Sequence, residues 1–295
     1  MILKLKFWIK KKVKERTFIW YFLNKSYGKL SNIKRLQKGE LPDFIVVGAQ
    51  KAGTSALFNY LVQHSSIIEP AKKEVHYFDL YYNKGINWYK HFFPSKTYKK
   101  FVKFKTGNAI TGEATPIYSY LPRCLDRIKK DLPNVKIIFV MRNPIDRAFS
   151  HYHMNLRKKR ESLSFEEAIE KEKERLKYEK QNVNKIPSEE LYEHYNHSYL
   201  ERGEYFTQIK KIETLFPKKQ ILILDSEELK KDTNNQMQYV FKFLGVNSKK
   251  DLINPTINPS RYGKMEKSTR EKLNRYFEPF NKKLYNHLKK DFGWK

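Results

Sequence analysis

Cysteine occurs once in this chain, at Cys124. A single thiol excludes an intrachain disulfide and any zinc site of the Cys₂His₂ or Cys₄ type, and it favours a reducing compartment. Acidic residues are scarce: 32 Asp and Glu stand against 60 Lys and Arg, a formal charge of +28. The imbalance points to an acidic partner such as a nucleotide, an anionic polysaccharide, a membrane surface or a nucleic acid, over a background of lysine-rich composition. No Asp-rich strand offers itself as a Mg²⁺ holder, and no metal is expected. Long apolar runs are also missing. The stretch 17–23, Thr-Phe-Ile-Trp-Tyr-Phe-Leu, is far short of the roughly 20 residues of a membrane span. Lys4 and Lys6 interrupt the N-terminus too early for a signal-peptide core, so the expected location is cytoplasmic, with the inner membrane surface as its variant.

What is present is a globular chain. Hydrophobic residues make up 40% and aromatic ones 15% of 295 residues, enough to bury a sizeable core. Residues 1–40, which interleave apolar and basic side chains, read as a basic extension suited to peripheral contact with an anionic membrane. Residues 41–295 read as the main domain, with a charged helical insert at 157–197. Three apolar runs, 43–48, 135–141 and 220–225, are too continuous to face water and read as buried strands. Gly112–Pro116 reads as a strand end leading into a Pro-started helix over 117–130. Helices are expected near 88–93, over 145–156, from the capping box Ser164-Phe-Glu-Glu167 to about Tyr178, over 203–216 and over 266–290. Strands alternating with helices predict an α/β, P-loop-like, three-layer fold: a central parallel sheet covered by helices on both faces.

The segment Asp43-Phe-Ile-Val-Val-Gly48-Ala-Gln-Lys51-Ala-Gly53-Thr54-Ser55 is the most informative. It reads as strand, glycine turn and helix start, an arrangement that aims backbone N–H groups and the positive helix end at an oxyanion. Gly48 and Gly53 fit the nucleotide P-loop spacing, but Thr54 stands where that motif carries lysine. The loop is therefore read as a phosphate cradle, with Lys51, Ala52, Gly53, Thr54 and Ser55 as its contacts. A second cluster, Arg142 to Ser150 after the second strand, suits another phosphate. A third, Lys72-Lys73-Glu74-Val75-His76, places a carboxylate beside an imidazole; if extended, it points Glu74 and His76 to one side as an acid–base pair.

These motifs together resemble the sulfotransferases that use 3′-phosphoadenosine 5′-phosphosulfate (PAPS), in particular the branch of the heparan sulfate N- and O-sulfotransferases and their bacterial relatives. The resemblance runs from about Leu41 to the C-terminus. It includes Lys73-Glu-Val-His-Tyr-Phe-Asp79, Gly85-Ile-Asn-Trp-Tyr89, Gly112-Glu-Ala-Thr-Pro116, Met141-Arg-Asn-Pro144 and Arg202-Gly-Glu-Tyr205. It implies that residues 51–55 hold the 5′-phosphosulfate, with Lys51 at the bridging oxygen. It further implies that Arg142 and Ser150 bind the 3′-phosphate, that Glu74 is the catalytic base with His76 in the same motif, and that Ser260, Arg261 and Tyr262 belong to a loop closing over the donor. The implied acceptor is a carbohydrate, a glycolipid or a small hydroxylated molecule, taking sulfate on a hydroxyl or amine, with no nucleic-acid role. One departure is Ala114, where the heparan sulfate O-sulfotransferases carry a lysine. The alternatives are a P-loop small-molecule kinase, disfavoured by Thr54, and a basic nucleic-acid-binding protein, for which no motif is present.

Overall fold

Five strands form one parallel sheet among the residues that the computed structural model describes: 39–182, 190–249, 251–254 and 263–294. In chain order the elements are β1 (Phe44–Gly48), α1 (Thr54–Leu61), β2 (Ile67–Ile68), α2 (Gly85–Lys90), α3 (Lys96–Thr106), β3 (Ile110–Ala114), α4 (Pro122–Asp131), β4 (Lys136–Met141), α5 (Pro144–Arg157), α6 (Phe165–Asn182), α7 (Tyr192–Asn196), α8 (Tyr205–Leu215), β5 (Ile221–Asp225), α9 (Ser226–Lys231), α10 (Thr233–Leu244) and α11 (Lys267–Leu288). The strand order is β2-β3-β1-β4-β5. β1 lies at the centre, pairing with β3 through Ile45 and Glu113 and with β4 through Ile45 and Ile137. From β1 the chain goes out to the edge strand β2, returns to β3 beside β1, and then crosses to β4 and β5 on the other side. The reversal falls between β1 and β4, and a crevice at the carboxyl ends of such strands is where ligands bind in this class of sheet. The expected α/β sheet with covering helices is thus what the chain forms.

β1 and β4 are buried on both faces, which explains their unbroken apolar sequences. β2 has only two residues and gives no sequence pattern of its own. The helix expected to follow Pro116 starts six residues later. The Ser119 N–H donates to the Val47 carbonyl at 2.9 Å, tying residues 116–120 back to β1, and Pro122 then takes the first helical position of α4. The helix expected at 88–93 starts earlier, at Gly85, and the one expected to end near Tyr178 continues to Asn182. The capping box opens α6 as expected: Glu167 accepts from the Ser164 N–H at 2.9 Å, and Ser164 Oγ accepts from the Glu167 N–H at 3.3 Å.

The main core fills the two faces of the sheet, and a smaller apolar cluster joins α5, α6 and α11 through Ile145, Ala148, Phe165, Ile169, Leu273 and Phe277. Two buried glutamates of α6 hold the next stretch of chain. Glu172 accepts the N–H groups of Leu200 and Glu201, and Glu179 accepts those of Glu193 and His194. Each buried carboxylate is satisfied by backbone donors that would otherwise be orphaned.

Candidate active site

The turn after β1 is shaped by two glycines. A Cβ on Gly48 would lie 2.2 Å from Ser119 Oγ, so the close approach of residues 116–120 requires glycine there. Gly53 caps α1 with φ +95°, a conformation that suits glycine alone, and no side chain caps the helix start. The first-turn N–H groups of α1 therefore remain available to an anion. Lys51 sits in the turn with φ +69°. Burial, and then the positive charges of Arg157, Arg142, Lys158 and Arg147, push its ammonium down to about 8. A cation depressed by its cationic neighbours marks a place where positive charge exceeds negative, as an anion site requires.

Arg142, at the end of β4, lies next to this turn because β4 is the neighbour of β1. Its guanidinium donates to the Lys51 carbonyl at 3.3 Å, while its Nε is buried with no hydrogen-bond partner among the described residues. Two fully buried arginines support the turn from behind. Arg147 donates to the Gln50 carbonyl at 3.4 Å and to the Tyr199 carbonyl; Arg202 donates to Gln50 Oε1 and, at 2.5 Å, to the His194 carbonyl. Neither carried a role in the sequence reading. Arg147 had a signal: Pro144, Ala148 and His151 share its helix face, and all are buried. Ser150 is buried on the same helix. Arg142 opens onto a cavity of about 320 Å³ shared with Asp146, Phe149 and Gly263–Met265, and Ser150 lies outside its lining. Ser260, Arg261 and Tyr262 lie outside the described residues; Gly263, which follows them, reaches this cavity.

The segment carrying Glu74 is coil and not an extended strand, and His76 adopts φ +59°. Glu74 and His76 nevertheless meet, with His76 Nε2 3.7 Å from Glu74 Oε2, while His76 Nδ1 lies 2.8 Å from Asp79 Oδ2. The buried Asp79 also accepts from Tyr195 Oη at 2.8 Å. Two carboxylate partners outweigh burial and hold the imidazole up at about 9, so His76 is a cation at neutral pH. Glu74 is held down at about 2: burial alone would raise it, but His76 and Lys73 together overcome that.

Lys73 joins the two clusters. Its ammonium donates to Ser55 Oγ at 2.6 Å and lies 3.0 Å from Glu74 Oε1. The backbone fixes this placement, because the N–H of Ala114 donates to the Lys73 carbonyl at 2.9 Å and the N–H of Val75 donates to Glu113 Oε2 at 3.1 Å. Glu113 is fully buried at the end of β3 and also accepts from Thr115 Oγ1 at 2.6 Å and Tyr89 Oη at 2.5 Å. Burial pushes its carboxyl up to about 7 against these donors. Sequence reasoning quoted Lys73 and Glu113 within motifs but gave them no role; Lys73 meets Ser55 only through the fold. Of the aromatic residues near this segment, Tyr89 is buried in a stack on Tyr77, whereas Tyr81 is exposed and Trp88 partly so, with their rings 5.2 Å apart.

The chain is similar to known proteins. Residues 41–292 match the family described as Sulfotransferase domain. The chain is 28% identical over 279 residues to the heparan sulfate glucosamine 3-O-sulfotransferase 3B1 of Mus musculus, a match covering 86% of this chain and 65% of that protein. It is 34% identical over 215 residues to the bifunctional heparan sulfate N-deacetylase/N-sulfotransferase 3 of Homo sapiens, covering 70% of this chain and 22% of that protein. The chain thus spans less than two thirds of the length of each of these two curated relatives. The crystal structure of a sulfotransferase from Alicyclobacillus acidocaldarius is similar over 86% of this chain and 98% of that one, with a TM-score of 0.65 and 30% identity.

Proposed function

The chain belongs to the sulfotransferase domain family, and from that premise we propose that it moves a sulfuryl group from PAPS to a hydroxyl or amine of a carbohydrate or glycolipid acceptor. The observation that carries this reading is the position of Lys73, whose ammonium touches both the oxyanion turn, at Ser55, and the carboxylate of Glu74. A donor anion and an acceptor base then share one cation across the line of transfer.

The residues present fit the donor. Lys51, the α1 N-terminus and Ser55 would hold the phosphosulfate, and Arg142, with its unpartnered Nε, would take the 3′-phosphate. Donor binding supplies an activated sulfuryl group; everything else is positioning and charge stabilisation. Glu74 takes the acceptor proton as the acceptor oxygen or nitrogen bonds to sulfur and the bridging S–O bond breaks, the electron pair leaving with the bisphosphate. Lys51 and the backbone N–H groups of residues 53–55 offset the negative charge that builds on that leaving group. Clamped between Lys73 and His76, Glu74 is ionised but weakly basic. An anion at Ser55 draws Lys73 away from Glu74, which restores basicity only when donor is present. His76, a cation paired to the buried Asp79, orients Glu74.

Two heparan sulfate sulfotransferases among the relatives support a carbohydrate acceptor. The exposed Tyr81 and the part-exposed Trp88 beside the base segment suit a sugar ring. Transfer of labelled sulfate from PAPS to extracts of the source cell, followed by identification of the labelled product, tests the reading; label appearing in a carbohydrate or glycolipid supports it, and absence of any labelled acceptor overturns it.

A further inference from the structure

Among the described helices, α3 is unusual in having no fully buried side chain. Its sequence, Lys-Thr-Tyr-Lys-Lys-Phe-Val-Lys-Phe-Lys-Thr, holds five lysines and no acid. Lys99, on the inner side, fastens the helix to the domain through Asp43 at 2.8 Å and Glu40 at 3.6 Å. Thr97, Lys100, Phe101 and Phe104 follow helical spacing and form one outward stripe. Phe101 is 51% and Phe104 91% exposed, and Lys105 lies over the Phe101 ring at 4.5 Å. Lys96, Lys103 and Lys105 flank the stripe and are exposed.

We propose that α3 is a docking face for an anionic lipid bilayer, lying flat with Phe101 and Phe104 in the headgroup–acyl boundary and its lysines against the headgroups. Aromatic rings along one stripe with lysines at its margins are what an interfacial helix needs. The other occupants fit less well. A dissolved polyanion would engage the lysines and leave both rings in water. A second copy would set the four exposed lysines of α3 against the same four in a self-complementary contact. The chain's own first 38 residues carry twelve Lys and Arg against one Glu, so they share the sign of α3 and offer it no complementary charge. Gly39, the first described residue, bridges to Ser95, the cap of α3. The Ala71 N–H donates to the Phe92 carbonyl at 2.8 Å, tying the turn before α3 to the segment that leads to Glu74, while α3 itself is fastened by Lys99 at Asp43, the amino end of β1. The inference does not depend on which acceptor is used.

The test is co-sedimentation of the full chain with vesicles of phosphatidylcholine alone and of phosphatidylcholine with phosphatidylglycerol. Binding to the mixed vesicles, falling with salt, is expected, and Phe101→Ser/Phe104→Ser should weaken that partition by about tenfold or more while leaving thermal unfolding unchanged. Because Cys124 is buried, a polarity-sensitive dye on Phe104→Cys reports this position directly, and its emission should shift to the blue on mixed vesicles only. Equal binding to both vesicle types, an unchanged partition for the double variant, or no dye shift overturns the proposal. So does heparin binding that needs the lysines but not the rings, or a dimer in gel filtration that the double variant abolishes.

Discussion

Glu74 and Lys73 make predictions that separate their roles. Glu74→Gln keeps the shape of the side chain and removes the base. Turnover should fall by about 10²–10⁴-fold, while the affinity for adenosine 3′,5′-bisphosphate, measured by calorimetry, is kept or rises, since Glu74 does not itself touch the turn and no longer competes for Lys73. Retained turnover would mean that another group accepts the proton. Lys73 touches both sides, so Lys73→Met should lower kcat by about 10²-fold, in the range seen when a transition-state charge partner is removed. It should also raise the basicity of Glu74, because one of the two cations holding that carboxylate down is gone. The acid limb of kcat/KM should therefore move upward in pH in Lys73→Met, and Lys73→Arg should recover part of kcat. An unmoved acid limb would show that Lys73 does not act on the base.

The strand ends carry the rest of the site, and they show what could be read in advance. β1 and β4 are legible because a strand buried on both faces must be apolar throughout, β5 because its run is apolar although three of its residues are only partly buried at the sheet edge, and the turn at 48–55 is legible because its glycines are fixed by a close approach and a positive φ. β2 was not legible: two residues make no period. The helix expected over 117–130 begins instead at Pro122, because proline marks a permitted first turn without saying which of two prolines is used; the hydrogen bond from Ser119 to β1 decides for Pro122. The buried Arg147 and Arg202 were passed over because an arginine reads as surface until its acceptors, here carbonyls and the side chain of Gln50, are brought from distant segments. Glu113 was hidden for the same reason, and it yields a prediction about how β3 supports the base. Glu113→Ala leaves the Val75 N–H, Thr115 Oγ1 and Tyr89 Oη without their buried acceptor. Urea unfolding should show a loss of about 3–5 kcal/mol, and the 73–76 segment should lose its register, with turnover falling even under conditions where the protein is folded. Glu113→Gln keeps one carbonyl acceptor and should recover most of the stability. Equal stability of Glu113→Ala and wild type would show that the carboxylate does not anchor the segment.

Across the whole molecule the surplus of positive charge is organised. The charge of +28 says only that an acidic partner is suited to the chain; the fold decides where. It gathers Lys51, Arg142, Arg147, Arg157 and Lys158 around the carboxyl ends of β1 and β4, where burial first and then the charges of the other four push the Lys51 ammonium down to about 8. A cluster of cations of that kind has a linkage consequence. A phosphate anion bound there returns the Lys51 ammonium toward its ordinary value, so the bound form holds the proton more tightly than the free form. Affinity for adenosine 3′,5′-bisphosphate should be constant below about pH 8 with respect to this group, then decline by up to about tenfold per pH unit as pH rises through the free value toward the bound one. In that window binding must take up protons. Calorimetry at pH 8.5 in two buffers of different ionisation enthalpy should therefore record net proton uptake in the wild type, with smaller uptake and weaker binding in Lys51→Met. Binding with no proton uptake, or the same uptake in Lys51→Met, would show that the lysine of the turn does not meet the anion.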